Sequence, residues 1–555
     1  MIVTRMPDHR TIYLAWRDED GNRQTRVDME FAPYFFIEDD SREPSRYKLP
    51  RGLYGSFRYE EGEYYNLQGK KLKKVIVEKS IDIRYAKEKF EKTYEADVPY
   101  HYRYCIDEMD SIPEYKLRKW YWDMEWQQGG AYNEAITTIV AYDNYDEVFY
   151  QWWWTPEEIE YENDEDNVIT YSFENEKEML THFVEEVSNL DPDMLIAWFG
   201  LKFDLPVLLR RCAANGVDAR SLSPIRSVRG FHGTSGGFQC SIGEEGFRDI
   251  EQPIGGRITL NLDLAFERQW NDSQRGTLPS MSLEYIGQTL FGEGKKKESK
   301  FQDRSEFFRR GWLEDTQNYM EYAVQDVELL RRIDETNFTS EAILAIQRLI
   351  IAPFDACFFV SHMGQIYFCR NADWKTHTGT KIAKEDRVSY DGALIYDPLT
   401  EGTNGRYENV AAFDFAGLYP SMMIARNISW ETKSLEPTEF AVNIYTPRDF
   451  SEGVAKEMMY YKTDKMGLLP RAVLELKELR NEYKRKMRAA RDSGDKMEYV
   501  KWNNNQMAVK RLMASFYGVV AKQGFGWADV DLAASITASA REAIREAAFK
   551  VRSMT

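Results

Sequence analysis

This chain is poor in cysteine and has no long apolar segment. Its 555 residues include five cysteines, which are scattered and odd in number, a pattern that fits a reducing compartment and no zinc cluster. No run reaches the roughly 18 apolar residues that a membrane-spanning helix requires. The first ten residues also lack the apolar core of a secretory signal. We therefore expect a cytoplasmic protein without a membrane partner.

Net positive charge is also missing, since the formal net charge is −18. This does not exclude nucleic acid as a ligand, because DNA responds to local basic patches rather than to global charge. Basic residues are concentrated at 70–74, 295–297 and 480–491, apart from the acidic runs within 157–166. Solvated surface and nucleic-acid contact are both consistent with such patches.

An aromatic segment, Trp120–Trp126, carries two acids two residues apart. Strand periodicity points the side chains of Asp123 and Glu125 to the same face of a sheet. The apolar segment 135–142 is a candidate to pair with this strand as a hairpin. Two carboxylates on one buried face repel each other unless a cation is held between them, so the pattern predicts a divalent metal site.

Two later segments place further acids at defined positions. Asp204 follows a buried-strand pattern at 194–200 and begins a predicted helix. Tyr322 and Asp326 are four residues apart in a segment with helical periodicity, so they share one face of that helix. Each of these patterns is common when taken alone, and their order along the chain is what makes the combination informative.

In order and in element type, these segments resemble the three exonuclease motifs of the DnaQ-like 3′–5′ exonucleases. The resemblance implies an RNase H-like domain in which two Mg²⁺ ions, with Mn²⁺ as an alternative, are bound by Asp123, Glu125, Asp204 and Asp326. It also implies that Tyr322 orients the attacking water.

Aromatic residues near these motifs have two possible roles. Stacking on single-stranded DNA and ordinary core packing are both open for Trp122, Trp126 and Phe203. Phe199 occupies the position where the second motif usually carries Asn, and we expect this departure to alter how the frayed primer strand is handled.

A second carboxylate site is predicted around Asp414. The preceding apolar run, Val410–Phe413, is typical of a buried strand, and Tyr419-Pro420 is typical of a sharp turn that begins a helix. An acid held between a strand and such a turn is suited to bind a divalent cation against a phosphate.

A charged helical hairpin is predicted late in the chain, because two runs of strong helix formers are separated by Asp492–Asp495. Arg480 and Lys484 share a face of the first helix, and Lys510 and Tyr517 share a face of the second. Cations that converge from two helices would bind a triphosphate, and solvated helix faces are the alternative reading.

The segments around Asp414 and Lys510 resemble the first and second polymerase motifs of the family B DNA polymerases, D-F-x-S-L-Y-P-S and K-x3-N-S-x-Y-G. The resemblance implies a DNA-directed DNA polymerase with a proofreading 3′–5′ exonuclease, in which Asp414 and the Phe415 carbonyl bind metal. It implies nucleotide-binding roles for six residues: Tyr419, Arg480, Lys484, Lys510, Tyr517 and Gly518. The departures at Phe199, Gly417 and Ala514 suggest a divergent lineage, for which a virus acting in the host cytoplasm is one candidate.

The third polymerase motif, Y-G-D-T-D-S, does not occur before the sequence ends at Thr555. Two-metal phosphoryl transfer needs ligands from both sides of the palm. We therefore expect polymerisation only with a second polypeptide that carries this motif and the thumb. A truncated product, a stand-alone 3′–5′ exonuclease and a non-catalytic DNA-binding protein are the alternatives. The other expected partners are primer–template DNA and deoxynucleoside triphosphates, with a sliding clamp as a further candidate.

The sequence thus predicts a multidomain α/β and α+β protein with an RNase H-like exonuclease domain, an incomplete polymerase palm and helical-hairpin fingers. The expected segments are an N-terminal mixed α/β domain at 1–105, the exonuclease domain at 106–335, a helical connector at 336–385, a first palm part at 386–465, fingers at 466–515 and a truncated second palm part at 516–555.

Overall fold

The computed structural model describes residues 1–127, 129, 132–159, 161, 166–272, 276–292, 300–301, 303–372, 376–380, 389–394, 405–411, 413–445 and 457–554. These residues form two compact units that interleave along the chain. The first unit comprises 1–31, 110–348 and 353–358, and the second comprises 32–109, 349–352 and 359–555. The six finer segments expected from sequence stay a prediction. The predicted basic patch at 295–297 lies outside the described residues.

Twenty strands are described. They are β1 (Ile2–Arg5), β2 (Ile12–Arg17), β3 (Arg23–Asp28), β4 (Tyr34–Glu38), β5 (Arg46–Lys48), β6 (Tyr54–Ser56), β7 (Arg58–Asn66), β8 (Lys71–Ile76), β9 (Lys119–Trp126), β10 (Ile136–Asp143), β11 (Val148–Trp154), β12 (Val168–Phe173), β13 (Met194–Ala197), β14 (Phe231–Thr234), β15 (Gly237–Cys240), β16 (Ile258–Asn261), β17 (Thr376–His377), β18 (Lys433–Ser434), β19 (Phe440–Asn443) and β20 (Met458–Tyr461).

Fourteen α-helices are described among the same residues. They are α1 (Ile83–Ala86), α2 (Tyr100–Glu108), α3 (Glu176–Leu190), α4 (Asp204–Asn215), α5 (Leu262–Asp272), α6 (Leu283–Phe291), α7 (Arg304–Glu314), α8 (Thr316–Asn337), α9 (Thr339–Ile350), α10 (Val360–Asn371), α11 (Leu418–Ala425), α12 (Leu468–Ser493), α13 (Lys496–Ala521) and α14 (Val530–Met554). None of them is both long enough and apolar enough to cross a membrane.

The first unit is built on a six-stranded sheet with the order β12-β11-β10-β9-β13-β16. Strand β10 pairs antiparallel with β9, which confirms the predicted hairpin. Strand β13 runs parallel to both β9 and β16. The strands β9, β10 and β11 are buried along most of their length, as expected for a sheet covered on both faces.

The two faces of β9 contact different helices, because successive side chains of a strand point to opposite faces of the sheet. Trp120 and Trp122 face α3, with ring centres 6.4 and 6.3 Å from that of Phe183. On the opposite face, the Tyr121 hydroxyl donates a 2.8 Å hydrogen bond to Asp334 of α8. Asp123 and Glu125 share this second face, so the sheet's alternation directs both acids toward α8.

The second unit contains a sheet of order β17-β7-β8-β4 and a smaller one of order β18-β20-β19. The predicted helical hairpin is confirmed in α12 and α13, which pack against each other. Gly494, with a φ of +77°, ends α12 in the left-handed conformation that glycine adopts readily. Asp495 then caps α13 by accepting a 2.9 Å hydrogen bond from the amide of Glu498.

One expectation for the second unit was wrong. The segment Val410–Phe413 forms no strand at its described residues, and Val410 and Phe413 are 73% and 90% exposed. Ala412 lies outside the described residues. A strand is held by pairing with a neighbour, and no strand of the described chain pairs with this segment. Apolar composition alone therefore did not make it a buried strand.

A buried charge cluster stabilises the second unit. Glu95 is 3% exposed, forms an ion pair with Arg103, and accepts hydrogen bonds from the Thr378 amide at 3.2 Å and the His377 ring at 3.1 Å. Burial alone would raise the pKa of Glu95, but Arg103, His377 and the Thr378 amide outweigh it and lower this pKa to about 2.

We predict that Glu95→Gln lowers the free energy of unfolding by about 3 kcal/mol, because buried Arg103 would lose its close ion pair and keep only the 3.8 Å pair with Asp107. Thermal denaturation at pH 7 measures this, with exposed Glu91→Gln as the control. The folded-state pKa is below the ordinary 4.5, so the stabilisation is present above pH 4.5 and is lost as the pH falls toward 2. Equal melting temperatures for Glu95→Gln and Glu91→Gln would contradict the assignment.

Candidate metal and nucleotide sites

Three of the predicted acids meet in the first unit. Asp123 and Glu125 of β9 and Asp326 of α8 each offer a carboxylate oxygen, and these oxygens all lie within 4.8 Å of one another. Asp326 is 1% exposed, whereas Asp123 is only partly buried. Residues more than 200 positions apart in sequence therefore form one cluster.

Buried hydrogen bonds hold α8 against the sheet at this point. The Tyr121 hydroxyl donates to Asp334 at 2.8 Å, and Asp334 also accepts from the Ser340 hydroxyl at 2.6 Å. Nearer the acids, the hydroxyl groups of Thr137 and Tyr319 are 2.8 Å apart. Burial raises the pKa of the Tyr319 phenol and the Glu125 charge adds to this, so the phenol stays neutral beside the acids.

The fourth predicted acid, Asp204, is the first residue of α4 and is 5% exposed. It does not belong to the group of oxygens within 4.8 Å. The loop before it is fixed, because the Phe203 amide donates to the Phe199 carbonyl at 2.9 Å and the Leu201 amide donates to Asn261 at 2.8 Å. The structure thus brings three of the four acids together.

The donor set in this cluster suits a hard divalent cation. Carboxylate oxygens are the ligands that Mg²⁺ and Mn²⁺ prefer, and no sulfur or imidazole ligand belongs to the cluster. Three carboxylates at this spacing repel each other, and a bound cation would relieve that repulsion. The residues present therefore fit the metal that the sequence predicts.

The structure distinguishes core packing from exposed positions for the aromatic residues near the acids. Trp122 is 2% exposed and belongs to the core, so it is not accessible for stacking on DNA. Trp126 and Phe203 pair edge to face at 5.4 Å, and Phe203 is 36% exposed. Phe199 is 44% exposed in the loop that leads to Asp204. Phe199 and Phe203 thus present aromatic surface on the loop before α4.

Tyr322 lies one helical turn before Asp326 and has a neighbour that the sequence did not indicate. A terminal nitrogen of Arg304 lies 3.4 Å from the Tyr322 hydroxyl, and the other lies 3.3 Å from Glu284. Arg304 and Glu125 both line a cavity of about 530 Å³. No motif marks Arg304, and the only local signal is the Asp303 cap that begins α7.

Three tyrosines are grouped in the second unit. The rings of Tyr419 (α11) and Tyr517 (α13) are 4.6 Å apart, and the hydroxyls of Tyr517 and Tyr390 are 3.0 Å apart. Burial raises the pKa of Tyr517, and the hydrogen bond with Tyr390 adds to the increase. Gly518 follows Tyr517 on α13. Both aromatic residues expected at the nucleotide therefore lie side by side.

The predicted cations also converge within the second unit. Burial lowers the pKa of Lys484, and the charges of Arg480, Arg488 and Lys510 lower it further. Lys510 belongs to α13 and the other three to α12, so the two helices bring like charges close together. Arg480 donates a 3.2 Å hydrogen bond to Gln506. Such a cluster of cations favours a polyanionic ligand.

Asp414 and Phe415 are placed differently from the acids of the first unit. Both are exposed, and Asp414 belongs to no group of three or more close metal-binding side chains in the described chain. Gly417 precedes α11 with a φ of +72°, which explains a glycine at this position. Ala514 is an exposed residue of α13.

Two family profiles match this chain. The profile described as "DNA polymerase family B, exonuclease domain" matches residues 135–249, and the profile described as "DNA polymerase family B" matches residues 358–555. Together they cover more than half of the chain, and they include Asp204 and all the predicted nucleotide-binding residues.

Curated relatives and a solved structure agree with these matches. The DNA polymerase of Pyrococcus glycovorans is 25% identical over 97% of this chain, and that of Thermococcus gorgonarius is 24% identical over 97%. The chain spans 66% of the length of both. The family B DNA polymerase of Pyrobaculum calidifontis has a similar fold, with a TM-score of 0.69 and 18% identity over 99% of this chain and 71% of that one.

We predict that the cluster of Asp123, Glu125 and Asp326 binds Mn²⁺ in the absence of DNA. Asp326→Asn should weaken this binding about 10-fold or more, because one charged oxygen ligand is lost. Isothermal titration calorimetry with Mn²⁺ measures the change, and Glu314→Gln, an exposed acid paired with Arg310, is the control. Unchanged Mn²⁺ affinity in Asp326→Asn would contradict the assignment.

Proposed function

The chain belongs to the family B DNA polymerases, and we propose that its first unit is a 3′–5′ proofreading exonuclease and that its second unit binds the incoming deoxynucleoside triphosphate. The close approach of Asp123, Glu125 and Asp326 is the observation that carries the exonuclease assignment. The strand order of the six-stranded sheet supports an RNase H-like fold for this unit.

In the exonuclease, the residues of this chain bind and orient the end of a single strand. Asp123, Glu125 and Asp326, with Asp204 at the start of α4, would bind two Mg²⁺ ions, which activate water and stabilise the leaving 3′ oxygen when they are bound. Tyr322 would orient the attacking water, because it lies one turn before Asp326 on the same face of α8.

The exposed aromatic residues have a separate role in this proposal. Phe199 and Phe203 would stack on the terminal bases, since every base offers an aromatic face. Stacking at Phe199 replaces the hydrogen bonds that an asparagine at this position would make. We therefore expect hydrolysis that depends little on the identity of the terminal base.

In the second unit, Arg480, Lys484 and Lys510 would bind the triphosphate, and Tyr419 and Tyr517, with Gly518, would contact the sugar and the base pair. The convergence of cations around Lys484 supports the first part and the 4.6 Å ring contact supports the second. Asp414 and the Phe415 carbonyl would bind metal on one side of the polymerase site. Chain extension needs a carboxylate on the other side too, and we propose that a polypeptide carrying Y-G-D-T-D-S and a thumb supplies it.

We predict that the protein degrades single-stranded DNA from its 3′ end when Mg²⁺ is present. Asp123→Ala should lower the rate at least about 100-fold, because the metal and the scissile phosphate would lose their alignment. A 5′-labelled oligonucleotide resolved on a denaturing gel measures both direction and rate.

The matched control for this experiment is Glu186→Gln, which changes a half-buried carboxylate on α3 of the same unit. Hydrolysis that survives Asp123→Ala at the level of Glu186→Gln would show that the cluster is not the active site. Binding of DNA without any hydrolysis by the unchanged protein would favour the non-catalytic alternative instead.

We predict that the chain binds deoxynucleoside triphosphates without a partner. Lys510→Ala should weaken the binding of a fluorescent deoxyadenosine triphosphate about 10-fold, because a charge-assisted contact to the phosphates is lost. Fluorescence anisotropy at constant ionic strength measures the affinity.

Arg485→Ala is the control, since Arg485 follows Lys484 on α12 but is exposed. Equal losses in the two variants would indicate a nonspecific charge effect and contradict the proposed triphosphate site. Primer extension is then tested by adding a polypeptide that carries Y-G-D-T-D-S, with Asp414→Ala as the variant that must abolish it.

A further inference from the structure

One buried carboxylate outside the acid cluster joins three elements of the first unit. Glu176 is the first residue of α3 and is 6% exposed. It accepts a 2.9 Å hydrogen bond from the backbone amide of Ile136 on β10, and two more from the guanidinium of Arg211 on α4, one of them 2.8 Å long. The side-chain amide of Asn215, also on α4, donates a fourth bond at 3.0 Å. Glu176 therefore ties the start of β10 to α4.

The two partners on α4 share a face of that helix with Asp204. Arg211 and Asn215 follow Asp204 by 7 and 11 residues, which are close to two and three full turns at about 3.6 residues per turn. Their side chains therefore leave the helix in nearly the same direction as the Asp204 carboxylate. A rotation of α4 that displaced Asp204 would also break the bonds with Glu176.

The partner on β10 lies beside the strand that carries two of the other acids. Ile136 pairs with Trp126 of β9, the residue after Glu125. The Trp126 ring packs edge to face against Phe203, the residue before Asp204, with ring centres 5.4 Å apart. This aromatic contact and the carboxylate bridge hold α4 to the β9–β10 hairpin near the start and near the end of the helix.

The ionic part of the bridge is suited to fix a position. Two nitrogens of the Arg211 fork bond to one carboxylate, which sets orientation as well as distance, whereas a lysine ammonium would set only distance. The side chains of Arg211 and Glu176 are 20% and 7% exposed, so solvent screens this pair less than a surface pair. Precision matters here, because a displacement of about 1 Å can lower the rate of such chemistry about 100-fold.

We propose that Glu176 is a positioning residue of the exonuclease, which sets the rotation and distance of α4 so that Asp204 can join Asp123, Glu125 and Asp326 in binding metal. This inference rests on the proposed function of the first unit. The other three acids come from β9 and α8, and their oxygens lie within 4.8 Å of one another. Asp204 comes from a third element, and Glu176 links that element to the hairpin that contains β9.

Binding of Mn²⁺ in the absence of DNA tests the inference without activity. Glu176→Gln should weaken Mn²⁺ binding about 10-fold in isothermal titration calorimetry, because α4 would no longer hold Asp204 in place. In an Asp204→Asn background, the same change should alter the affinity less than about twofold, because the ligand that Glu176 positions is already lost. The matched control is Glu178→Gln, an exposed acid on the same helix, which should keep full affinity. Equal losses in both backgrounds would overturn the inference, and so would an unchanged affinity in Glu176→Gln alone.

Hydrolysis of single-stranded DNA gives a second readout. Glu176→Gln should lower kcat about 10-fold and change KM less than about twofold, because the contacts with the strand stay in place while the metal ligands lose alignment. Arg211→Lys keeps the positive charge but loses the fork, so its kcat should be intermediate. This variant retains the ionic pair and gives an answer even if Glu176→Gln does not fold. A loss confined to KM, or full kcat in Arg211→Lys, would overturn the inference.

A spectroscopic readout reports the position of α4 in metal-free protein. With 4-fluorophenylalanine in place of Phe203, Glu176→Gln should shift the ¹⁹F resonance, because a rotation of α4 changes how this ring packs on Trp126. Glu178→Gln should not shift it, and no shift in Glu176→Gln would overturn the inference. An unchanged protein that does not hydrolyse DNA would refute the proposed function, whereas full activity and full Mn²⁺ affinity in Glu176→Gln would refute only the role of Glu176.

Discussion

The candidate metal site depends on the packing of α8 against β9. Asp123 and Glu125 come from the strand and Asp326 comes from the helix, so their oxygens meet only if the two elements keep one register. The Tyr121–Asp334 hydrogen bond and the contact between Thr137 and Tyr319 fix this register on either side of the acids. Both contacts are buried, where an unmade hydrogen bond is costly. A shift of α8 by one residue would separate the acids and also break these bonds.

A second constraint operates in the second unit, where the hairpin of α12 and α13 brings like charges close together. Lys484 has a lowered pKa because burial and neighbouring cations disfavour its charge. The short connection at Gly494 and Asp495 keeps α12 and α13 packed against each other, so the cations on the two helices stay close. A polyanion bound between the helices would remove the repulsion. The unfavourable arrangement is therefore consistent with a binding site for triphosphate.

Much of this organisation could be predicted from residue patterns. Alternation placed Asp123 and Glu125 on one face, and helical periodicity placed Tyr322 beside Asp326, because these properties follow from the repeat of a single element. The prediction was wrong at Val410–Phe413, where apolar residues lack a neighbouring strand and remain exposed. It was also unable to identify Arg304, whose contacts with Glu284 and Tyr322 link three helices that are separate in sequence.

The sequence by itself determined which residues are candidates for the chemistry, which family's motifs the chain resembles, and on which faces of single elements its acids and cations lie. Local periodicity decides such faces, and it acts within one strand or helix. Only the tertiary structure decided that Asp326 joins Asp123 and Glu125 within 4.8 Å while Asp204 does not, that Trp122 is core while Phe199 is exposed, and that Arg304 contacts Tyr322. These outcomes depend on how separate elements pack, and packing is set by buried contacts between residues far apart in the chain.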